Sequence, residues 1–216
     1  MAEQAATRSA ALALADERTL MRQGYQFLDE KRMLLAGEIL RRVREHEALA
    51  AEATEAAAGA RSALGDALQR HGLAGLRAYP PLPFSPEVPE IESAAFLGVA
   101  TLSARWPARV VAAPEPALDA SPEARHCRDA FVTMLEPLAR LAASATSLER
   151  LVAEYRRTER RARALENVLL PEVDQALRTI EERLELADQE EAVRTRLAAR
   201  GRQQSGVEIP AAVIDP

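Results

Sequence analysis

The chain has 216 residues, a net charge of −5, 28% charged residues and 48% apolar residues, but aromatic residues make up 4%. Much of the apolar content is alanine, so the composition favours long helices over a thick globular core. The acidic balance argues against a general nucleic-acid binder, and the single Cys127 excludes a disulfide framework and suits the cytoplasm. Neither a signal peptide nor a membrane-spanning run is recognisable, so direct membrane insertion is not expected.

A first long helix is predicted from apolar residues spaced three and four apart. It begins between Thr7 and Ala11 and ends near Gly72 or Gly75, where glycine suits a helix C-cap. Its seam, the line that faces another helix, is formed by Met21, Tyr25, Leu28, Leu35, Ile39, Leu49, Ala53, Ala60 and Ala67. An adjacent stripe carries Leu20, Phe27, Leu34 and Leu64. About 65 residues of helix would be roughly 100 Å long.

The middle of the chain, residues 76–120, contains eight prolines that forbid a continuous helix. Two segments between them are candidate strands, Ala95–Leu102 and Arg109–Ala112. These strands would form a hairpin. Because an isolated two-stranded hairpin is marginally stable in water, we expect it to pack against the helices or against a partner.

A second long helix is predicted to start at Ser121-Pro122-Glu123, where serine caps, proline fits the first position and glutamate complements the dipole. Its seam reads Leu141, Leu148, Leu151, Tyr155, Thr158, Ala162, Leu165 and Leu169. Pro171 interrupts the pattern and is expected to bend the helix. The stripe then resumes, shifted by one residue, at Leu177, Ile180, Leu184 and Ala187.

The predicted fold class is all-α, a long antiparallel two-helix coiled coil with a short Pro-rich β-hairpin or loop insertion. We divide the chain into a first shaft helix (1–75), the insertion (76–120), a second shaft helix (121–200) and a flexible tail (201–216). Similar helix lengths and one connecting region favour pairing within the chain, although periodicity is also compatible with a homodimer.

Residues that would carry chemistry are sparse. The sequence lacks a Gly-rich phosphate loop, and its three histidines lack the spacing of a zinc site, so no cofactor or metal is expected. The cluster of five arginines has two interpretations, a solvated helix face or a contact surface for an acidic partner. Its members are Arg156, Arg157, Arg160, Arg161 and Arg163.

Two segments resemble the D subunit of V-type ATPases. The first is Thr7-Arg8 followed by Gly24–Arg32, which is similar to the opening helix of that family. The second is Arg156–Pro171, with its arginine run, its Asn-containing core and its in-helix proline, continued by Ile180–Glu185. Gly98-Val99 is similar to the family's hairpin. Asp29 and Met33 depart from the family pattern, which puts contacts near position 30 in doubt.

This resemblance implies a non-catalytic central rotor shaft that couples ATP synthesis or hydrolysis to rotation of a membrane ring and to proton or sodium transport. The implied partners are the catalytic and regulatory subunits of the hexamer, the F subunit and the socket subunit above the ring. The implied location is peripheral, at the cytoplasmic face of the cell membrane. ATP would be handled by the hexamer, in keeping with the missing phosphate loop.

Site residues follow from this implied topology, with both termini inside the hexamer and the Pro-rich turn toward the membrane. Besides the five clustered arginines, the partner-contact candidates are Arg8, Arg18, Arg22, Arg194 and Arg196. The structural candidates are Gly24, Leu28, Leu35, Ile39, Tyr155, Leu165, Leu169, Pro171, Ile180 and Leu184. The rival hypotheses are a free-standing coiled-coil scaffold and an enzyme that uses Cys127 with His126, which would need a lowered thiol pKa.

Overall fold

The structure, a computed structural model, describes residues 7–79, 89–106 and 121–204, with side chains described up to residue 200. Its elements, in chain order, are α1 (Arg8–Arg77), β1 (Glu90–Phe96), β2 (Val99–Arg105), α2 (Pro122–Ala164), a π-helix (Leu165–Leu169) and α3 (Leu170–Gln204). The described part is therefore mostly helical, as predicted, with one small sheet. None of its helices has an apolar stretch long enough to cross a membrane.

The chain divides into two compact units. Unit 1 comprises Met1–Leu28 and Arg161–Pro216, and unit 2 comprises Asp29–Arg160. The long helices run through both units, so each unit holds a pair of helical segments rather than a separate stretch of sequence.

The core of unit 1 is a small apolar cluster between the start of α1 and the first turns of α3. Leu14 packs there with Val173, Leu177 and Ile180, all at most 8% exposed. Around it lie the partly buried residues Ala10, Ala11, Met21, Ala176 and Leu184. Arg8 pairs with Asp188 and Arg18 pairs with Asp174, so residue numbers rise along α1 in the direction in which they fall along α3. The two segments are therefore antiparallel.

The core of unit 2 joins both helices to the sheet. Leu35 of α1 and Leu151 of α2 are fully buried, and Val99 of β2 completes the cluster. Beyond this point the buried residues of α1 are the alanines Ala53, Ala60, Ala63 and Ala67. Small side chains let helices approach closely but bury less apolar area per residue. This change from leucine to alanine along the α1 seam confirms the sequence prediction.

The hairpin lies earlier than predicted. The predicted strand Ala95–Leu102 is wrong, because Leu97 and Gly98 form the turn between β1 and β2, with Phe96 opposite Val99. Both turn residues have positive φ, 49° and 85°, as a two-residue hairpin turn of the favoured twist requires. The other predicted strand, Arg109–Ala112, lies outside the described residues.

The hairpin packs against the helices, as expected for a two-stranded sheet. Ser147 of α2 is fully buried, and its hydroxyl accepts the Leu102 N–H at 2.7 Å and lies 3.1 Å from the Leu102 carbonyl oxygen. Arg150 adds a bond to the carbonyl of Ala100. A helix side chain thus satisfies backbone groups on the edge of β2 that β1 does not reach.

The positions at which the helices of unit 2 begin and end agree with their capping residues. Gly72 has non-helical dihedrals (φ 63°, ψ 171°), so it breaks α1 near the predicted end, and a short helical segment continues to Arg77. Ser121 accepts the N–H of Ala124 at 3.1 Å, which confirms the predicted serine cap of α2. The same hydroxyl lies 2.6 Å from His71 Nε2 and thereby links the two helix ends.

The interruption predicted at Pro171 takes the form of a π-helix that precedes it. Over Leu165–Leu169 the helix widens, and the Leu170 N–H bonds to the Leu165 carbonyl, five residues back. Pro171 itself is exposed at the start of α3. A π-turn accommodates one extra residue, which explains why the apolar stripe resumes one position later.

Candidate partner-contact surfaces

The arginines near the chain ends are on the surface of unit 1, but they differ in their partners. Arg8 bonds Asp188 at 3.2 Å with its side chain 79% exposed. Arg18 forms an ion pair with Asp174 at 2.6 Å and is about two-thirds shielded from solvent. Arg194 is 3.6 Å from Glu190, whereas Arg22 and Arg196 are exposed without an ion pair in the described part of the chain. Arg8 and Arg18 thus form ion pairs between the two helices, whereas Arg22 and Arg196 have no ion pair among the described residues.

The end of α3 carries an exposed apolar stripe. Every residue from 185 to 200 is exposed, and Leu186, Val193 and Leu197 are each more than half exposed. At 3.6 residues per turn these three positions lie on one side of the helix, roughly opposite the buried seam of Leu177 and Ile180. A group of exposed apolar side chains on one helix face is a candidate contact surface.

The arginine cluster is exposed throughout, on the last turns of α2. In unit 2, Arg157 lies 3.7 Å from Glu154, while Arg156 and Arg160 have no acidic partner within ion-pair distance among the described residues. In unit 1, Arg161 and Arg163 are exposed as well. Arg156 and Arg160 are therefore exposed cations of the cluster without an ion pair among the described residues, which is the exposure that a contact with an acidic partner needs.

Two further sets of charged residues lie in unit 2, one between the two helices and one within α1. Lys31 Nζ lies 2.6 Å from Glu154, and both side chains are about four-fifths buried. On α1, Glu38 accepts hydrogen bonds from Arg41 at 2.6 Å and from Arg42 at 2.7 Å. The bond from Arg41, with Arg42 adding to it against the opposing effect of burial, lowers the pKa of Glu38 from 4.5 to about 2.

The structural candidates fall on both helix pairs. Leu35 and Ile180 are buried in the two cores, Ile39 and Tyr155 pack on the core of unit 2, and Leu184 packs on the core of unit 1. Leu28 and Leu165 are half-buried, and Gly24 faces Leu165. Leu169, however, is 39% exposed, because the π-turn carries it off the seam and Val173 takes the buried place.

Cys127 does not have the environment of a nucleophile. It is partly buried on α2, and this burial raises the pKa of its thiol. A catalytic cysteine needs the opposite change, since the thiolate is the reactive form. The enzyme hypothesis based on Cys127 and His126 therefore loses its physical support.

Sequence reasoning does not single out several features that the structure shows. The second predicted stripe is Leu20, Phe27, Leu34 and Leu64. The first three residues are 56–69% exposed and Leu64 is half-buried, so the stripe does not extend the buried seam. Neither the outward stripe on α3 nor the Ser147 bond to the hairpin is predicted. Spacings of seven and four between positions 186, 193 and 197 are the available signal for the former.

Comparison with known proteins identifies the family of the chain. The family model of the ATP synthase D subunit matches residues 10–200, which covers both helix pairs and the hairpin. The chain belongs to the ATP synthase D subunit family. It is 33% identical over 214 residues to the V-type ATP synthase D subunit of Anaeromyxobacter sp. (strain Fw109-5), an alignment that covers 94% of this chain and 97% of that protein. Membership in this family makes the chain a subunit of a rotary ATPase.

Proposed function

We propose that this protein is the non-catalytic central-stalk rotor of a V-type ATP synthase or ATPase, and that it links ATP turnover in a catalytic hexamer to rotation of a membrane ring. On this proposal the antiparallel helix pairs form one coiled-coil shaft. Proton or sodium transport is driven at the ring, and the protein lies peripherally at the cytoplasmic face of the cell membrane. The relative from Anaeromyxobacter carries the name of a V-type ATP synthase subunit and aligns over nearly its whole length.

The observation that carries the proposal is the end of α3. Arg8 at the start of α1 pairs with Asp188, and α3 then continues to Gln204 with residues 189–200 all exposed. A long helix end that is exposed over its described residues and carries an outward apolar stripe is suited to entering the cavity of a ring of subunits. Catalytic and regulatory subunits of the hexamer would surround Leu186, Val193 and Leu197.

The arginine cluster is the proposed contact for an acidic surface on the F subunit or on the lower rim of the hexamer. Arg156 and Arg160 have the exposure that such a contact needs, and neither has an ion pair among the described residues. The Pro-rich segment between the long helices would face the socket subunit above the ring. Rotation would bias each catalytic interface in turn, because an asymmetric shaft contacts the three interfaces with different free energies.

The test is reconstitution with purified partners. The chain is co-expressed with its cognate F subunit, and a one-to-one complex is sought by size exclusion. The pair is then added to the catalytic hexamer, and the ATP hydrolysis rate is measured. Binding with a changed rate is the expected result. A stable chain that ignores both partners would favour the free-standing scaffold instead.

Two matched variants locate the contacts. Replacing Leu186, Val193 and Leu197 with Asp should weaken hexamer binding at least about tenfold, the loss expected from removing apolar hot-spot contacts. Replacing Thr195 and Ala199, two exposed residues on the opposite side of the same helix, with Asp is the control. Arg156→Glu with Arg160→Glu should weaken binding of the acidic partner, whereas Arg128→Glu on α2 should not.

A further inference from the structure

The π-turn at Leu165–Leu169 adds one residue to the seam of unit 1. Ala162 lies on the seam before it, the half-buried Leu165 is its first residue, and Val173, Leu177 and Ile180 are buried after it. The step from Leu165 to Val173 is eight residues, where one heptad step of a regular seam would take seven. The wide turn absorbs the difference, so α3 presents its apolar side to α1.

The pairing of the helices does not need this extra residue. If one residue between Leu165 and Val173 were removed, the apolar positions would continue at alternating spacings of three and four through Ile180. That is the ordinary pattern of a helix pair, and it would bury the same side chains. The extra residue therefore adds something other than helix pairing.

The turn is weakly held compared with the helix on either side. Because the Leu170 N–H bonds to Leu165, the Glu166 carbonyl loses its usual donor. Pro171 has no N–H, so the Asn167 carbonyl lacks its usual donor too. No residue of the turn is buried, and Val168 is 50% exposed. Few hydrogen bonds and little burial are the conditions for local opening at low free energy.

The residues that flank the π-turn nevertheless fix its position along the helix. Ala162 on one side is 2% exposed and Val173 on the other is 8% exposed. If the extra residue moved toward the N-terminus, Arg163 would take a seam position, and if it moved toward the C-terminus, Glu172 would do so. Moving a charged side chain into an apolar seam is costly, so a shift of the irregularity along the helix is disfavoured.

We propose that the π-turn is a compliant joint, a short segment of the rotor helix that twists while the apolar seams on both sides stay packed. This inference rests on the proposed rotor function for its use, although the joint itself is a property of the free protein. On that proposal, a local twist at the joint would take up strain between the two ends of the shaft without separation of the packed helices.

The experiment removes the extra residue. Deletion of Val168 shortens the step from Leu165 to Val173 to the seven residues of a regular seam, and Val168→Ala is the control that keeps the length. In the free protein, amide hydrogen exchange of residues 165–173 should slow about tenfold in the deletion variant, which corresponds to about 1.4 kcal/mol. The control should exchange like the unaltered protein. Equal exchange in the unaltered protein, the deletion variant and the control would overturn the proposal of a joint.

A second readout tests the use of the joint in the assembled complex with the F subunit and the hexamer. The deletion variant should lower the ATP hydrolysis rate about twofold or more, because a stiffer shaft couples steps less smoothly. An unchanged rate would overturn this use.

If the deletion variant does not fold, Pro171→Ala is the second variant. It restores a donor to the Asn167 carbonyl and should slow amide exchange of the same segment, and no slowing would count against the joint. Failure of the unaltered chain to bind any partner would instead count against the rotor proposal, and the exchange result would still stand.

Discussion

Gly24 of α1 faces Leu165, and a Cβ placed on Gly24 would lie 3.9 Å from Leu165 Cδ1, an ordinary van der Waals distance. Glycine inside a helix costs conformational entropy that alanine does not. Gly24→Ala should therefore stabilise the protein by about 0.5–1 kcal/mol, measured by urea unfolding. Gly37→Ala, where a Cβ meets nothing within 4 Å, is the control for the intrinsic helix gain. A loss of stability for Gly24→Ala alone would mean that the helices approach more closely there than this distance indicates.

Leu97 is a bulky residue in the left-handed region, at the tip of the hairpin and 39% exposed. Such a conformation costs a leucine roughly 1–2 kcal/mol. Leu97→Asn should stabilise the protein by up to about 1 kcal/mol, because Asn-Gly is the preferred sequence of this turn. Leu97→Val should destabilise it, since a β-branched residue tolerates positive φ less well. Thermal melts of the two variants compare them directly, and the opposite order of stability would contradict the strain argument.

Ser147 holds the hairpin to α2 through a buried hydroxyl. Ser147→Ala should cost about 1–3 kcal/mol, because it leaves the N–H of Leu102 without its partner in a buried site. Amide exchange of Leu102 should accelerate as well. Thr146→Ala is the matched control, since the Thr146 hydroxyl bonds the Ala142 carbonyl within its own helix. An equal, small effect of both substitutions would show that the hydroxyl does not anchor the hairpin.

Glu38 should make stability depend on pH in the acid range. Its pKa is lowered from 4.5 to about 2 by the hydrogen bond from Arg41, with Arg42 contributing. A lowered folded-state pKa gives stability that is present above the unfolded value and is lost as pH falls through the folded one. Glu38→Gln should therefore cost roughly 1 kcal/mol at neutral pH, after screening by solvent, and little near pH 2. Chemical unfolding at both values measures the difference, and a cost that does not change with pH would refute the assignment.

Cys127 should react slowly with thiol reagents. Burial raises the pKa of its thiol, so a smaller fraction is thiolate at neutral pH than in a free cysteine. Alkylation by iodoacetamide should be slower than that of glutathione by about tenfold or more. Urea should remove the protection by exposing the side chain. Rapid alkylation of the folded protein would reopen the possibility of a reactive cysteine.

Much of the helical framework follows from local rules. Spacings of three and four mark the helices, Ser121 marks the start of α2, and Gly72 marks the break in α1. Each signal acts over a few residues, through a cap or through side chains on one face, so the sequence is sufficient to recognise it. The shift of the stripe past Pro171 is likewise visible as a change of period.

Positions that depend on a partner element are not predictable in this way. The predicted strand Ala95–Leu102 is wrong because a leucine rarely occupies the first position of a tight turn, and packing of Val99 on Leu35 and Leu151 compensates for that strain. Leu20 and Phe27 have the same residue types as buried seam positions, yet they remain exposed. Hydrophobicity sets what a side chain gains from burial, but it does not say which of two neighbouring stripes finds a partner.

By itself, the sequence determined the helices, their caps, the irregular middle and the resemblance to a rotor family, because these depend on local periodicity and on ordered residues along the chain. The tertiary structure decided which stripe is buried, where the hairpin turns, which arginines are used in ion pairs and how the extra residue before Pro171 is absorbed. Those outcomes depend on the shape and the charge of the opposing element, which lies far away in sequence and is brought close by folding.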